Sequence, residues 1–123
     1  MNKAALIVVA GDATGGAIAK AFAREGYVAC VNRRARNADQ LEALVQSIHA
    51  EGYEARAYPA DARIEDEVVA MVDAIERDVG PIEVAIFNIG ANVNFSILDM
   101  TAQVYRKVWE MAAFAGFLMG REA

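Results

Sequence analysis

The sequence predicts an α/β fold, a doubly wound parallel sheet of about four strands in the order 3-2-1-4 with helices on both faces. Short apolar runs alternate with amphipathic stretches of helical period along the whole chain. The first run, Ala4 to Ala10, is continuously apolar rather than alternating, which suits a strand buried on both sides. Glycines follow it at once and join strand to helix through a turn where backbone can approach a ligand closely.

The remaining elements follow in order. Ala17 to Glu25 is a helix of good formers, closed by Gly26 as a left-handed cap. Tyr27 to Asn32 is the second strand. Asn37 caps a helix from Ala38 to Glu51 whose Leu41, Leu44, Val45 and Ile48 share one face, and Gly52 stops it. Glu54 to Ala60 is a weaker third strand; Ala62 to Asp78 is a third helix, carrying Val68, Val69, Met71, Val72 and Ile75 and ended by Gly80-Pro81. Glu83 to Asn88 is the fourth strand. Beyond an Asn-rich loop, Thr101 caps a long helix in which Val104, Val108, Met111, Phe114 and Leu118 recur at helical spacing.

Composition narrows the function classes. The 123 residues suffice for one domain over 1–123 and not for two. A hydrophobic fraction of 56% and a mean hydropathy of +0.20 exceed what a domain this small normally buries, so something is expected to cover the excess. A net charge of -5 and a pI near 4.8 work against phosphate-backbone binding and exclude nucleic acid as the expected partner. The single cysteine, Cys30, cannot form an internal disulfide and reads as a core thiol, which fits a reducing cytoplasm. Lys3 ahead of the apolar run imitates a secretion signal, but Gly11-Asp12 cuts that run short. No stretch approaches the roughly 18 to 20 apolar residues of a membrane span, so a soluble chain without a membrane partner is expected. No metal is implied.

In a sheet of this topology ligands bind at the carboxyl ends of the strands where the winding reverses, here the turns after strands one and four. Gly11, Asp12, Ala13, Thr14, Gly15 and Gly16 join the first strand to the first helix, where N–H groups and the helix dipole suit a pyrophosphate and Thr14 adds a hydroxyl. The plainer reading is a turn that needs glycine only for positive φ. At the end of strand two an NAD site usually holds an acid against the ribose hydroxyls, whereas this chain has Asn32-Arg33-Arg34 and no acid before Asp39. Forked, permanently charged guanidinium groups suit a 2′-phosphate, so NADP(H) is expected over NAD(H); a solvated basic turn is the alternative. Asp61 and Ala62 after the third strand, and Asn88 and Gly90 after the fourth, each have an ordinary reading as helix cap or turn. Together they stand at successive strand ends, as a cofactor cleft requires.

In this order the motifs resemble the front half of the short-chain dehydrogenase/reductase family, over essentially the whole chain. The family's glycine motif, TGxxxGxG, is similar to Ala10-Gly11-Asp12-Ala13-Thr14-Gly15-Gly16-Ala17. Its adenine-contacting Asp, in a DV pair, resembles Asp61-Ala62, and its NNAG motif resembles Phe87-Asn88-Ile89-Gly90 with the first Asn replaced by Phe. Arg33 and Arg34 lie where NADP-preferring members carry basic residues. The resemblance implies a Rossmann-like NAD(P)-binding domain and hydride transfer between NADP(H) and the carbonyl or alcohol of a small-molecule substrate.

The sequence also departs from the family. Gly11 with Ala17-Ile18-Ala19 fits equally the spacing Gly-x5-Ser/Ala-Ile-Ala of the divergent, enoyl-reductase-like branch. The family's catalytic-support Asn, five residues before an aromatic, corresponds to Ala112 when counted back from Phe117. Its Tyr-x-x-x-Lys pair stands on a later helix; here Tyr27, Tyr53, Tyr58 and Tyr105 are followed four places on by Val31, Ala57, Ala62 and Trp109. A tyrosine of pKa about 10 delivers a proton at neutral pH only when a cation lowers that value. Lys107, two residues from Tyr105, lies on a different helical face, and His49 sits in the second helix away from the strand ends. No catalytic residue is therefore assigned. The chain is expected to be a truncated, cofactor-binding half, inactive alone, whose open strand-four edge and last helix favour a homo-oligomer or other self-association. A non-catalytic nucleotide-binding or regulatory module is the alternative, with an interaction fragment of degenerate cleft behind it. Arg33 and Arg34 disfavour a methyltransferase, whose ribose contact needs an acid there.

Overall fold

The computed structural model describes residues 3–9, 13–89 and 94–123. Four strands, β1 Ala4–Val8, β2 Val28–Asn32, β3 Ala55–Ala57 and β4 Ile82–Phe87, form one parallel sheet in the order β3-β2-β1-β4, as the sequence predicts. Helices α1 Thr14–Arg24, α2 Ala38–Ala50 and α3 Glu65–Asp78 make the three crossovers. After β4 the chain runs through α4 Ala102–Trp109, a π-helical segment Glu110–Phe114 and α5 Ala115–Glu122.

All five residues of β1 are buried, and their alternation feeds two cores. On one face Ala5 and Ile7, with Ala29 and Val31 of β2, meet Ala19 and Ala23 of α1 and Leu41, Leu44, Val45 and Ile48 of α2. On the other, Ala4, Leu6 and Val8, with Val28 and Cys30, meet Met71 and Ile75 of α3 and Ala115 and Met119 of α5. Burying each large aliphatic chain contributes about 1.5–3 kcal/mol, so β1, central in the sheet, holds both layers together. Cys30 is fully buried and burial pushes its thiol up to about 12, so it is inert at neutral pH.

Several boundaries shift for physical reasons. Helix α1 starts at Thr14 rather than Ala17 and takes in Gly15 and Gly16, both buried in its first turn. Strand β3 is confined to Ala55–Ala57, and α3 begins at Glu65 rather than Ala62, because a turn built on Asp61 intervenes. Asn37 stands at the N-cap of α2 but makes no side-chain cap bond; the 3-10 turn Ala35–Asn37 leads the chain into the helix instead. Gly26 and Gly52 adopt φ of +96° and +89°, the left-handed stops expected of them. Thr101 caps α4 as expected, its Oγ1 accepting from the Val104 N–H at 3.2 Å.

The π-segment divides the last helix into two packing regimes. Ala115, Leu118 and Met119 are buried, and Arg121 ties α5 to α3 through Glu65 at 2.6 Å, so one face of this end is covered. Apolar surface is left instead at Ile97, Leu98, Tyr105, Trp109 and Phe117. Among the described residues no helix is long and apolar enough to cross a membrane, and no three His, Cys, Asp or Glu side chains converge as a metal site.

Candidate functional site

The carboxyl ends of β1, β2 and β3 converge on a cavity of 170 Å³ lined by Val9, Asn32, Arg33, Arg34, Arg36, Asn37, Ala60, Asp61, Ala62 and Met111. Its frame is set by Asn32, the single buried polar residue among those described. The Asn32 Nδ2 donates to the carbonyls of Tyr58 at 3.0 Å and Ala60 at 3.1 Å, and its Oδ1 accepts from the Val9 N–H at 3.4 Å. One amide thus ties the end of β1 to the segment leaving β3, and the Ala60 N–H donates back to the Arg33 carbonyl at 2.9 Å.

Charge at the cavity runs against that of the chain. The protein carries -5 overall, yet three arginines line this wall against one aspartate. Arg33 Nη1 donates to Gln40 Oε1 of α2 at 2.7 Å, which orients the guanidinium without neutralising it. Among the described residues none of the ion pairs uses Arg33, Arg34 or Arg36. Asp61 is paired instead with Arg63, which donates from Nε to Oδ1 at 3.0 Å and from Nη2 to Oδ2 at 2.7 Å. The Arg63 backbone N–H adds a third bond to Oδ1 at 3.0 Å.

These bonds hold the Asp61 carboxyl below its usual range, chiefly through the Arg63 side chain and with a smaller contribution from the Arg34 charge. A group depressed in this way contributes stability that is full above the unfolded value of about 4 and disappears as pH falls through the folded one. In urea unfolding, the stability gap between the native protein and Asp61→Asn is expected to stay constant from pH 8 to about 5 and to close below about pH 4. A gap that persisted unchanged at pH 2 would mean that the bonds to Arg63 do not depend on ionisation.

At the end of β1, Val9 has φ +62°, a left-handed conformation that glycine adopts freely and a β-branched residue does not. The strain of about 1–2 kcal/mol is held by the Asn32 contact and by the half-buried Val9 side chain on the α3 side of the sheet. Val9→Gly would relieve it, whereas Val8→Gly removes a fully buried side chain. The first is expected to cost about 2 kcal/mol less than the second in chemical denaturation, and equal costs would show that Val9 is unstrained.

Beyond β1, Ala13 stands at the N-cap of α1 without a side-chain cap bond, and exposed Thr14 opens the helix. The Ala17 N–H closes on the Ala13 carbonyl at 3.0 Å, and the N–H groups of Thr14, Gly15 and Gly16, which have no intrahelical acceptor, make no backbone bond among the described residues. At β4, Asn88 extends the ladder through its N–H to the Val8 carbonyl at 3.1 Å and reaches the Val9 carbonyl with Nδ2 at 3.4 Å. Of the site residues expected from sequence, Arg33, Arg34, Asp61 and Ala62 therefore share one cavity, Asn88 bonds across the end of β1, and Ala13, Thr14, Gly15 and Gly16 stand at the start of α1, with Ala13 and Gly16 lining a separate cavity against Ala43, Leu44 and Ser47 of α2. Gly11, Asp12 and Gly90 lie outside the described residues. Arg36, Met111, Val9 and Arg63 belong to the site or its support and were not singled out by sequence. A polar Asn32 closing an apolar strand was a visible signal, and so was an arginine two places after Asp61.

Two other features separate from this site. His49 lies on α2 with Nε2 3.1 Å from the Ala55 carbonyl oxygen, a structural contact. A larger groove of 710 Å³ runs along α4, lined by Ile97, Met100, Tyr105, Trp109 and Phe114 among others, and shares no residue with the cavity at the strand ends.

The comparisons with known proteins agree with this geometry. The short chain dehydrogenase family matches residues 3–123. A 3-oxoacyl-acyl-carrier-protein reductase FabG of Staphylococcus epidermidis is 34% identical over 108 residues, covering 88% of this chain and 44% of the relative. A 2-dehydro-3-deoxy-D-gluconate 5-dehydrogenase of Formosa agariphila is 29% identical over 98% of this chain and 45% of its own length. The crystal structure of a short-chain dehydrogenase from Rhodopseudomonas palustris superposes with a TM-score of 0.91 at 48% identity, over 99% of this chain and 56% of that one. An actinorhodin polyketide ketoreductase solved with NADPH has a TM-score of 0.91 over 98% of this chain and 46% of its own, but at 23% identity it speaks to the fold alone. The chain spans about half the length of the relatives it matches.

Proposed function

Because the chain belongs to the short-chain dehydrogenase family, we propose that it binds NADP(H) and forms the cofactor-holding half of an oxidoreductase that moves hydride between the nicotinamide and a carbonyl or alcohol. The observation that carries this is the cavity with three arginines and a single, already paired carboxylate in an acidic protein. Its chemistry fits the cofactor. Arg33 and Arg34 supply forked donors for the 2′-phosphate, Asp61 an acceptor for the adenine, and the first-turn N–H groups of Thr14, Gly15 and Gly16 a seat for the pyrophosphate. Gly11, Asp12, Ala13, Ala62, Asn88 and Gly90 complete the binding set in this reading.

When bound, the cofactor supplies a hydride. The residues of this chain bind and orient it, and none is given a proton to move. Among the 123 residues no tyrosine precedes a lysine by four, so binding without turnover is the expected behaviour of this chain alone. Quenching titrations with NADPH, run beside NADPH-oxidation assays on a panel of aldehydes and ketones, test both halves of the reading. Saturable binding without oxidation agrees with it, absence of binding removes the cofactor assignment, and turnover removes the expected inactivity.

The exposed apolar side chains along α4 and the half-buried strand β4 support a covered surface in the working protein, by a second copy or by further chain. The buried, reduced Cys30 agrees with a cytoplasmic setting. A non-catalytic nucleotide-binding module remains the second reading, favoured by Ala112, which is exposed on the π-segment.

A further inference from the structure

We infer that Arg63 is a positioning residue that sets nucleobase selectivity, by fixing the Asp61 carboxylate at the cavity wall as an acceptor for one N–H donor, the exocyclic amine of an adenine. This rests on the nucleotide-binding reading above. Asp61 lines the cavity and Arg63 does not. From behind, the Arg63 fork grips both carboxylate oxygens and its backbone N–H takes Oδ1 a second time. The turn itself is tied at three points: the Asp61 N–H donates to Glu67 Oε1 at 3.0 Å, the Asp61 carbonyl accepts from the Ile64 N–H at 3.0 Å, and Asn32 holds the preceding Ala60.

Counting acceptor capacity makes the selectivity specific. An ionised carboxylate offers about four lone-pair sites and no donor. Arg63 occupies two on Oδ1 and one on Oδ2, which leaves one site, on Oδ2. That site attracts the exocyclic amine of adenine and repels the carbonyl oxygen that hypoxanthine carries at the same ring position, so adenine is favoured over hypoxanthine. Charged groups around the pair are Arg34, Glu67 and, facing Arg63 from the π-segment, Glu110. Arg63 itself makes the largest contribution to keeping Asp61 ionised. Without it the carboxyl is free to rotate and to protonate more readily, and a protonated carboxyl donates to a carbonyl oxygen.

The test compares equilibrium binding of NADPH with that of deamino-NADPH, which carries hypoxanthine in place of adenine. The native protein is expected to prefer NADPH by about 10-fold or more, the worth of one charge-assisted hydrogen bond, with a ratio flat between pH 8 and 5. In Arg63→Gln the ratio is expected to fall below about 3-fold and to shrink further toward pH 5, with circular dichroism unchanged. Should Arg63→Gln fail to fold, Arg63→Lys keeps the charge and removes the fork, and a ratio below that of the native protein is expected. A native ratio in a folded variant overturns the inference while leaving cofactor binding intact. If the native protein binds neither nucleotide, the inference falls together with the cofactor reading, and the two failures are told apart by that control.

Discussion

Replacing Asn32 by leucine is expected to lower the unfolding free energy by about 4 kcal/mol, a large share of what a domain of this size possesses. Leucine fits the volume but strands three backbone groups that the amide satisfies, the carbonyls of Tyr58 and Ala60 and the N–H of Val9. Each buried, unpaired group costs about 1–3 kcal/mol, and Asn32 is 1% exposed, so water is poorly placed to replace the amide. Asn32→Asp is expected to be as damaging at neutral pH, since it turns a donor into a charged acceptor facing two carbonyl oxygens. Urea unfolding measures both. A loss below about 1 kcal/mol for Asn32→Leu would mean that the three groups find other partners and that the amide does not frame the cavity.

Removing both cavity arginines should change cofactor choice rather than fold. In Arg33→Ala/Arg34→Ala, NADPH affinity is expected to fall by about 100-fold while NADH affinity moves by less than about 3-fold, two charge-assisted contacts at about 1.5 kcal/mol each being lost to the phosphate alone. Stability should change little, because the Arg33 bond to Gln40 is exposed. Parallel titrations with the two cofactors read the outcome. An equal loss for both would locate the arginines at the shared pyrophosphate, and no loss for either would leave them as a solvated basic turn.

The fold was legible because its determinants are local or periodic. The unbroken apolar run of β1, the 3.6-residue face of Leu41, Leu44, Val45 and Ile48, and the glycine stops at Gly26 and Gly52 each signal their element in the sequence itself. What sequence placed less well depends on tertiary contacts. The start of α1 at Thr14 takes in two buried glycines that propensity alone would exclude from a helix, and the late start of α3 rests on the Asp61–Arg63 turn. The π-segment has no one-residue signature. Nothing in the period of Val104, Val108, Met111 and Phe114 marks where the packing face turns to Ala115, Leu118 and Met119.

The site shows the same division. Arg33, Arg34, Asp61 and Ala62 were accessible from sequence because they stand at strand ends, and the structure brings these four to one cavity. Arg36 and Met111 became visible only in three dimensions, a methionine arriving from the far end of the chain, whereas Arg63 was signalled by its place two residues after Asp61 and only its grip on that carboxylate needed the structure. Val9 carried no signal, since nothing in the sequence marks a valine as the residue to take a left-handed conformation.

The central claim is that one cofactor lies across the carboxyl ends of the strands. Titration of the 15N-labelled protein with NADPH, followed by amide chemical shifts, tests it most directly. Progressive shifts are expected at Ala13 to Ala17, at Asn32 to Arg34, at Asp61 and Ala62, and at Asn88, with α4 unmoved. Shifts confined to Tyr105, Trp109 and Phe114 along the α4 groove, or none at saturating NADPH, would contradict it.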